Sequence, residues 1–227
     1  MCAVIPALDE EEAIGQVVRR IPRSLVREIL VVDNGSRDRT AERAVQAGAR
    51  VVSEPEPGYG RACRAGVAAL PADCDVVVFL DGDGSDCPEH IEDLVRPIAT
   101  GTHDFVIGSR IRGRRQNGSM NLSQLIAGRA AGMLLRISYG ARYTDMCPLR
   151  AIRVDMLNRL RMQEQTYGWN LEMQMRAARH RLRILEIPVG HRRRVGGVSK
   201  VSGTIRGTLR ASAHIAATFA RVIGDRS

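Results

Sequence analysis

Long apolar runs are missing from this chain. No stretch approaches 18 uninterrupted apolar residues, so the sequence offers no transmembrane span. The opening residues, MCAVIPALDEEEAIG, place acids directly after a short apolar run, the reverse of a secretory leader, and point to a cytoplasmic protein. Cysteine is scarce and unpaired. Cys2, Cys63, Cys74, Cys87 and Cys147 are odd in number and include no C-x-x-C, which argues against a disulfide framework or a zinc site and reads as small buried hydrophobes. Tandem repeats and low-complexity tracts are absent, which removes a solenoid or an appended tail. No G-x-G-x-x-G follows the first apolar run and no G-x-x-x-x-G-K-[ST] occurs, so a nicotinamide-type fold and a P-loop ATPase both lack their phosphate loop.

Aromatics make up only 4% of the chain, and one lysine stands against 33 arginines. The charge is unevenly laid out: residues 1–108 carry a net −8 and residues 109–227 a net +17. An acidic half can hold cations and a basic half can hold phosphates or meet an anionic surface. Nucleic acid is the natural partner of so basic a protein, but the aromatics of the basic half form no base-stacking pattern, and no nucleic-acid partner is expected.

Five short runs rich in Val and Ile, at 3–5, 29–32, 51–52, 76–80 and 105–107, are nearly continuous rather than alternating, as strands buried on both faces should be. Helical patterns over 10–20, 38–47, 60–70 and 88–99 separate them. Strands alternating with helices predict an α/β fold with a mainly parallel central sheet flanked by helices. Later elements are expected as helices over 121–137, 153–160, 169–181 and 201–223 and strands over 148–152 and 184–189, with basic loops at 110–118, which should be mobile, and 192–200. Residues 1–227 are read as one domain, 1–108 its donor half and 109–227 its acceptor half.

Ligands of such sheets bind beyond the carboxyl ends of the strands. Three expected tips carry acids: Asp9 and Glu10, Asp33, and the pair Asp81 and Asp83 around Gly82. Two carboxylates spaced by glycine after a buried strand suit Mg²⁺ or Mn²⁺, which takes one or two carboxylates together with phosphate oxygens and water. A solvated Asp-Gly turn is the bland alternative. Asp38 could cap the following helix. Retention of Lys200 in so arginine-biased a chain suggests a site that wants a compact ammonium. The five histidines show no metal spacing, with His180 and His191 reading as surface groups, and Trp169 reads as a packed aromatic at a helix start.

The segments IPALDEEEAIG, VVDNGSRDRTAERA, GYGRACRAG, VVVFLDGDGS, DFVIGSR, TDMCPLRAIR, YGWNLEMQMRAAR and RVGGVSKVSGT occur in the order seen in glycosyltransferase family 2. The chain resembles that family over about residues 3–210, with the bacterial relatives of dolichol-phosphate mannosyltransferase as the closest-looking branch. The resemblance implies a GT-A-like, Rossmann-related fold, a nucleoside-diphosphate-sugar donor, a divalent metal and inversion at the anomeric carbon. It puts Pro6, Leu8, Glu10, Asp33, Gly35, Ser36 and Gly60 around the nucleotide, with Gly82 between the metal-binding Asp81 and Asp83. Asp9 stands where the family usually shows Asn. Arg110, Arg194, Ser199 and Lys200 match positions near the phosphates. Glu172 is the first candidate for the general base that a hydroxyl acceptor needs, and Asp145 the second. The branch implies instead a polyprenol-phosphate acceptor met at the inner membrane face, which needs no base and leaves Glu172 an orienting or helix-dipole residue. The alternatives are a soluble hydroxyl acceptor, a sugar-nucleotide nucleotidyltransferase, or a basic protein that binds nucleic acid or membrane surfaces.

Overall fold

A computed structural model describes residues 1–120, 122–141, 143–196 and 217–224. Its frame is one seven-stranded sheet of order β3-β2-β1-β4-β6-β5-β7. In chain order the strands are β1 (Cys2–Ala7), β2 (Glu28–Asp33), β3 (Arg50–Ser53), β4 (Val76–Phe79), β5 (Phe105–Ser109), β6 (Arg150–Arg153) and β7 (Ile184–Pro188). All neighbours pair in parallel except β6, which is antiparallel to both β4 and β5. The helices are α1 (Ile14–Arg20), α2 (Thr40–Gln46), α3 (Tyr59–Ala68), α4 (Ile91–Ala99), α5 (Leu122–Tyr139), α6 (Val154–Leu160) and α7 (Trp169–Arg179). Residues 217–224 are also helical, and the remainder of the helix expected over 201–223 lies outside the described residues.

The continuous apolar runs have a simple cause. Ala3, Ile5, Ile29, Val31, Val78 and Val106 face one core with α1, α2 and α4. Val4, Leu30, Val32, Val77, Phe79, Phe105 and Ile107 face a second core built with α3, α5, α6 and α7. Successive side chains point to opposite faces, so a strand covered on both sides must be apolar at every position. Trp169 fills the second core, 1% exposed and edge-on to Phe79 with ring centroids 6.3 Å apart, as its packed reading requires.

Chain order sets where the site lies. The chain steps outward from β1 to β2 to β3 and then returns to pair β4 on the other side of β1. That reversal opens a crevice at the carboxyl ends of β1 and β4. The first helix starts later than its acids suggested, at Ile14 rather than residue 10. The N–H groups of Glu10 and Glu11 are held by Thr40 Oγ1 (2.7 Å) and Asp38 Oδ2 (3.1 Å), which keeps 10–13 as a turn over the crevice. Asp38 also accepts the Thr40 N–H (2.9 Å), so its carboxylate staples the first two strand tips together.

Candidate active site

Asp81 and Asp83 leave β4 at the crevice with Gly82 packed against Pro6 and Ala7 of β1. Asp83 Oδ1 accepts from the Ser85 N–H (2.9 Å) and hydroxyl (2.6 Å), which fixes its rotamer. Asp81 Oδ1 accepts from the Tyr59 hydroxyl (3.0 Å), and the Asp81 N–H donates to Asp86 Oδ2 (3.0 Å). Three carboxylates therefore share one turn. Burial together with Asp86 and Asp83 pushes Asp81 well above the ordinary carboxylate range, and burial raises Asp86 to about 6. Such crowding calls for a cation.

A cation already lies there. Arg194 reaches across the crevice, donating to Asp83 Oδ2 (3.2 Å) and pairing with Glu10. Its segment is laid against the metal turn, with the Val195 N–H on Asp83 O (3.0 Å) and the Arg192 N–H on Ser85 O (2.8 Å). His191, expected at the surface, is 6% exposed. Its Nδ1 is 4.0 Å from Asp86 Oδ1 and has no hydrogen-bond partner, and burial and Arg110 lower its pKa to about 4, so the ring is neutral at pH 7. A neutral, orphaned imidazole nitrogen beside crowded carboxylates is a donor set a divalent metal can use. Among the described residues no group of three His, Cys, Asp or Glu side chains is placed to hold a metal ion by itself, so phosphate oxygens and water must complete any coordination here.

The nucleotide-side residues gather at the tips of β1 and β2. Pro6 is buried within β1, and Leu8 and Glu10 follow it to the crevice. Asp33 Oδ1 accepts the Ser36 N–H (3.2 Å) across Gly35, whose φ of +79° suits glycine. Asp9 has φ +52°, a conformation that Asp and Asn tolerate better than most residues, and its N–H donates to Ser36 Oγ (3.0 Å). Gly60 also has a packing use. Its N–H donates to Thr166 O (3.2 Å), and a Cβ there would collide with Glu164 O, so it serves close packing of α3 on the 164–166 loop.

Both base candidates are enclosed by hydrogen-bond donors. Glu172 is fully buried; Oε2 accepts the N–H groups of Gln163 (3.0 Å) and Glu164 (2.7 Å), and Oε1 accepts from Arg176 Nε (2.9 Å). Asp145, 1% exposed, accepts from Arg110 N (2.9 Å), Nε (2.8 Å) and Nη2 (2.8 Å) and from Met146 N (2.8 Å). Burial favours the neutral acid, but these donors hold Asp145 below the usual range. A base needs an open lone pair within reach of the substrate hydroxyl, and neither carboxylate offers one. Arg110 is correspondingly spent on Asp145, although its charge is felt at Asp81 and Asp86. The 110–118 loop, expected to be mobile, is pinned. The Gln116 N–H donates to His191 O (2.9 Å), and Gly113 packs so closely on Val189 O that no side chain fits. Ser199 and Lys200 lie outside the described residues.

Sequence reasoning missed Asp86, Tyr59, Asn34 and His191. Asp86 is the third acid of D-G-D-G-S-D and was legible from the same strand-tip logic. His191 ends the segment after β7, which is parallel to β5, so its tip reaches the same sheet edge. Asn34 clamps the 54–58 loop through Glu54 O (2.9 Å), Glu56 O (2.7 Å) and the Gly58 N–H (2.8 Å), placing Tyr59 for Asp81.

The family model described as glycosyl transferase family 2 matches residues 2–161. The chain belongs to that family. It is a glycosyltransferase with the GT-A-type fold of its relatives. It is 36% identical over 208 residues to the uncharacterized glycosyltransferase Rv0539 of Mycobacterium tuberculosis, covering 91% of each chain. Over 121 residues it is 46% identical to the glucosyl-3-phosphoglycerate synthase of Mycolicibacterium paratuberculosis, covering 48% of this chain and 36% of that one. Among solved structures, the M. tuberculosis glucosyl-3-phosphoglycerate synthase in complex with Mn²⁺, UDP and phosphoglyceric acid superposes with a TM-score of 0.79 at 26% identity, covering 100% of this chain and 79% of that one. The same synthase has also been solved with Mn²⁺, UDP-glucose and phosphoglyceric acid.

These matches overturn one expectation. One glycosyltransferase that superposes on the whole of this chain has been solved with phosphoglyceric acid bound, a soluble acid rather than a polyprenol phosphate. The acceptor and membrane partner inferred from the dolichol-phosphate branch are corrected accordingly. Among the described residues no helix is long and apolar enough to cross a membrane.

Proposed function

We propose that this family 2 glycosyltransferase moves a sugar from a UDP-sugar to a hydroxyl of a small, soluble, anionic acceptor, in the cytoplasm. The observation that carries the reading is the match along the full chain to a synthase holding Mn²⁺, UDP and phosphoglyceric acid. Residues 1–108 form the donor half and residues 109–227 the acceptor half of this reading. Asp33, Leu8 and Glu10 receive the nucleoside at the β1–β2 tips. The cofactor is a divalent cation, Mn²⁺ or Mg²⁺; Asp83, Asp81 and His191 are the residues that would hold it, and it would supply Lewis-acid stabilisation of the departing diphosphate. The chain's own residues prepare that step. Ser85 orients Asp83, the Tyr59 hydroxyl on the Asp81 carboxylate and the Asp86 carboxylate on the Asp81 N–H orient Asp81, and Arg194 supplies a guanidinium matched to diphosphate oxygens once it leaves Asp83. Glu172 and Asp145 are both saturated by donors, so neither is placed to take the acceptor proton in this arrangement.

The test is a transfer screen of UDP-sugars with Mn²⁺, offering 3-phosphoglycerate, glycerate and polyprenol phosphate in vesicles. Product is expected with the soluble phosphorylated acid. Transfer to the lipid phosphate alone would defeat the proposal.

A further inference from the structure

One cavity of about 410 Å³ opens beside the metal turn, between residues 87–90, the 114–116 segment and Gly190–Arg192. Its volume lies in the range of small-molecule sites. We propose that this cavity is the subsite for the anionic end of the acceptor, a phosphate monoester gripped by Arg114 and Arg115. The inference rests on the reading above that the acceptor is small, soluble and anionic.

Charge is the first argument. Three guanidiniums border the cavity, those of Arg114, Arg115 and Arg192, against one carboxylate, Glu89. Glu89 is already matched by Arg192. Arg114 and Arg115 have no carboxylate partner among the described residues; the one polar side-chain contact of Arg115 is Met120 Sδ at 3.9 Å. Two adjacent unneutralised guanidiniums at a concave surface suit the forked recognition of phosphate better than a solvated rim needs.

Rigidity is the second. The cavity walls are held by main-chain bonds that side-chain motion does not undo. The His191 N–H donates to Arg114 O (3.0 Å), and the Gln116 N–H donates back to His191 O (2.9 Å). The Gly190 N–H donates to His90 Nε2 (2.9 Å), which fixes that ring with its proton on Nδ1, toward Asp93. A preformed anion site loses little ordering entropy on binding.

Position is the third. His191 lines the cavity and is bridged both to Asp86 of the metal turn and to Arg115 of the opposite wall. The wall that would hold the phosphate is thus continuous with the one that holds Asp83. An acceptor anchored here by its phosphate presents its other end, the hydroxyl, to the donor crevice.

The test pairs turnover with binding, using Arg114→Gln, Arg115→Gln and the double variant. With UDP-glucose and Mn²⁺, the KM for 3-phosphoglycerate should rise about tenfold for each arginine lost, while UDP affinity and glycerate binding stay at wild-type values. If the wild type transfers to 3-phosphoglycerate and the double variant keeps its KM within about twofold, the subsite is wrong and the proposed function stands. If the wild type transfers to no phosphorylated acceptor, titration calorimetry with 3-phosphoglycerate and inorganic phosphate decides the cavity alone. Binding that the double variant loses upholds the anion subsite and removes the proposed function; absent or unchanged binding removes the subsite as well.

Discussion

At the scale of single residues, carboxylates divide into those a cation must relieve and those the protein has already satisfied. Asp83 belongs to the first kind. Its nearest charges are Asp81 and Asp86 on one side and a displaceable arginine on the other. Asp83→Asn and His191→Ala should each lower metal-supported turnover on the order of a hundredfold, because a metal's charge stabilisation at the leaving group is worth several kcal/mol. The melting temperature of Asp83→Asn should not fall, since the change removes a like charge from a crowded turn. Mn²⁺ titrations followed by activity and by calorimetry measure both; full activity in excess EDTA would end the metal assignment. Glu172 belongs to the second kind. Glu172→Gln takes the charged carboxylate away from the Arg176 guanidinium, 6% exposed at its side chain. Breaking a buried pair from one side costs about 3 kcal/mol or more. Urea unfolding should show that loss, while the rate per folded molecule stays at the wild-type value. A selective fall in kcat with unchanged stability would restore Glu172 as a base.

At the scale of elements, an ion pair stands where the sheet's far edge begins. Asp104, just before β5, accepts the Arg183 N–H (3.0 Å), Nε (3.0 Å) and Nη2 (2.6 Å) just before β7. That pairing starts β5 and β7 in register from Phe105 opposite Ile184. The Arg183 hydrogen bond, outweighing burial, brings Asp104 down to about 2. A folded pKa below the unfolded value means the contribution is complete above about pH 4 and is lost as pH falls through about 2. Asp104→Asn should therefore unfold at lower urea than the wild type at pH 6, and the gap should narrow as pH falls through about 2. A gap of constant size across that range would show that the carboxylate charge is not what holds the edge. Most of these elements were legible in the sequence, because Val/Ile runs at 29–32, 76–80 and 105–107 have no other stable use than a doubly covered strand. What local pattern could not show was pairing. The antiparallel insertion of β6 between β4 and β5 and the delayed start of α1 both depend on contacts dozens of residues away, such as Glu11 with Asp38. The same limit hid the burial of His191 and the packing of Gly60. One histidine after a strand and one glycine in a helix look ordinary until the sheet edge and the 164–166 loop are in place.

At the scale of the whole molecule, the split between net −8 in residues 1–108 and net +17 in residues 109–227 needs a reason that an uncharged acceptor would not supply. A basic half beside an acidic metal turn focuses anions toward the crevice and repels them from the carboxylates until a cation is in place. The consequence is kinetic. With UDP-sugar and Mn²⁺ saturating, capture of a phosphorylated acceptor should be assisted by the field of the arginine-rich half, and that assistance is screened once the Debye length shrinks toward molecular contacts. Raising NaCl from about 20 to about 300 mM takes the screening length from roughly 20 Å to roughly 6 Å. The acceptor kcat/KM should then fall by about tenfold, within the range by which electrostatic steering alters association, while kcat holds steady because the bound state is unchanged. Glycerate, with less charge, should show a shallower fall, and an uncharged polyol acceptor none. Arg114→Gln/Arg115→Gln should flatten the salt response of 3-phosphoglycerate toward that of glycerate. If all three acceptors lost rate in parallel with salt, the effect would belong to donor or metal binding, and the basic half would have no part in choosing what this enzyme glycosylates.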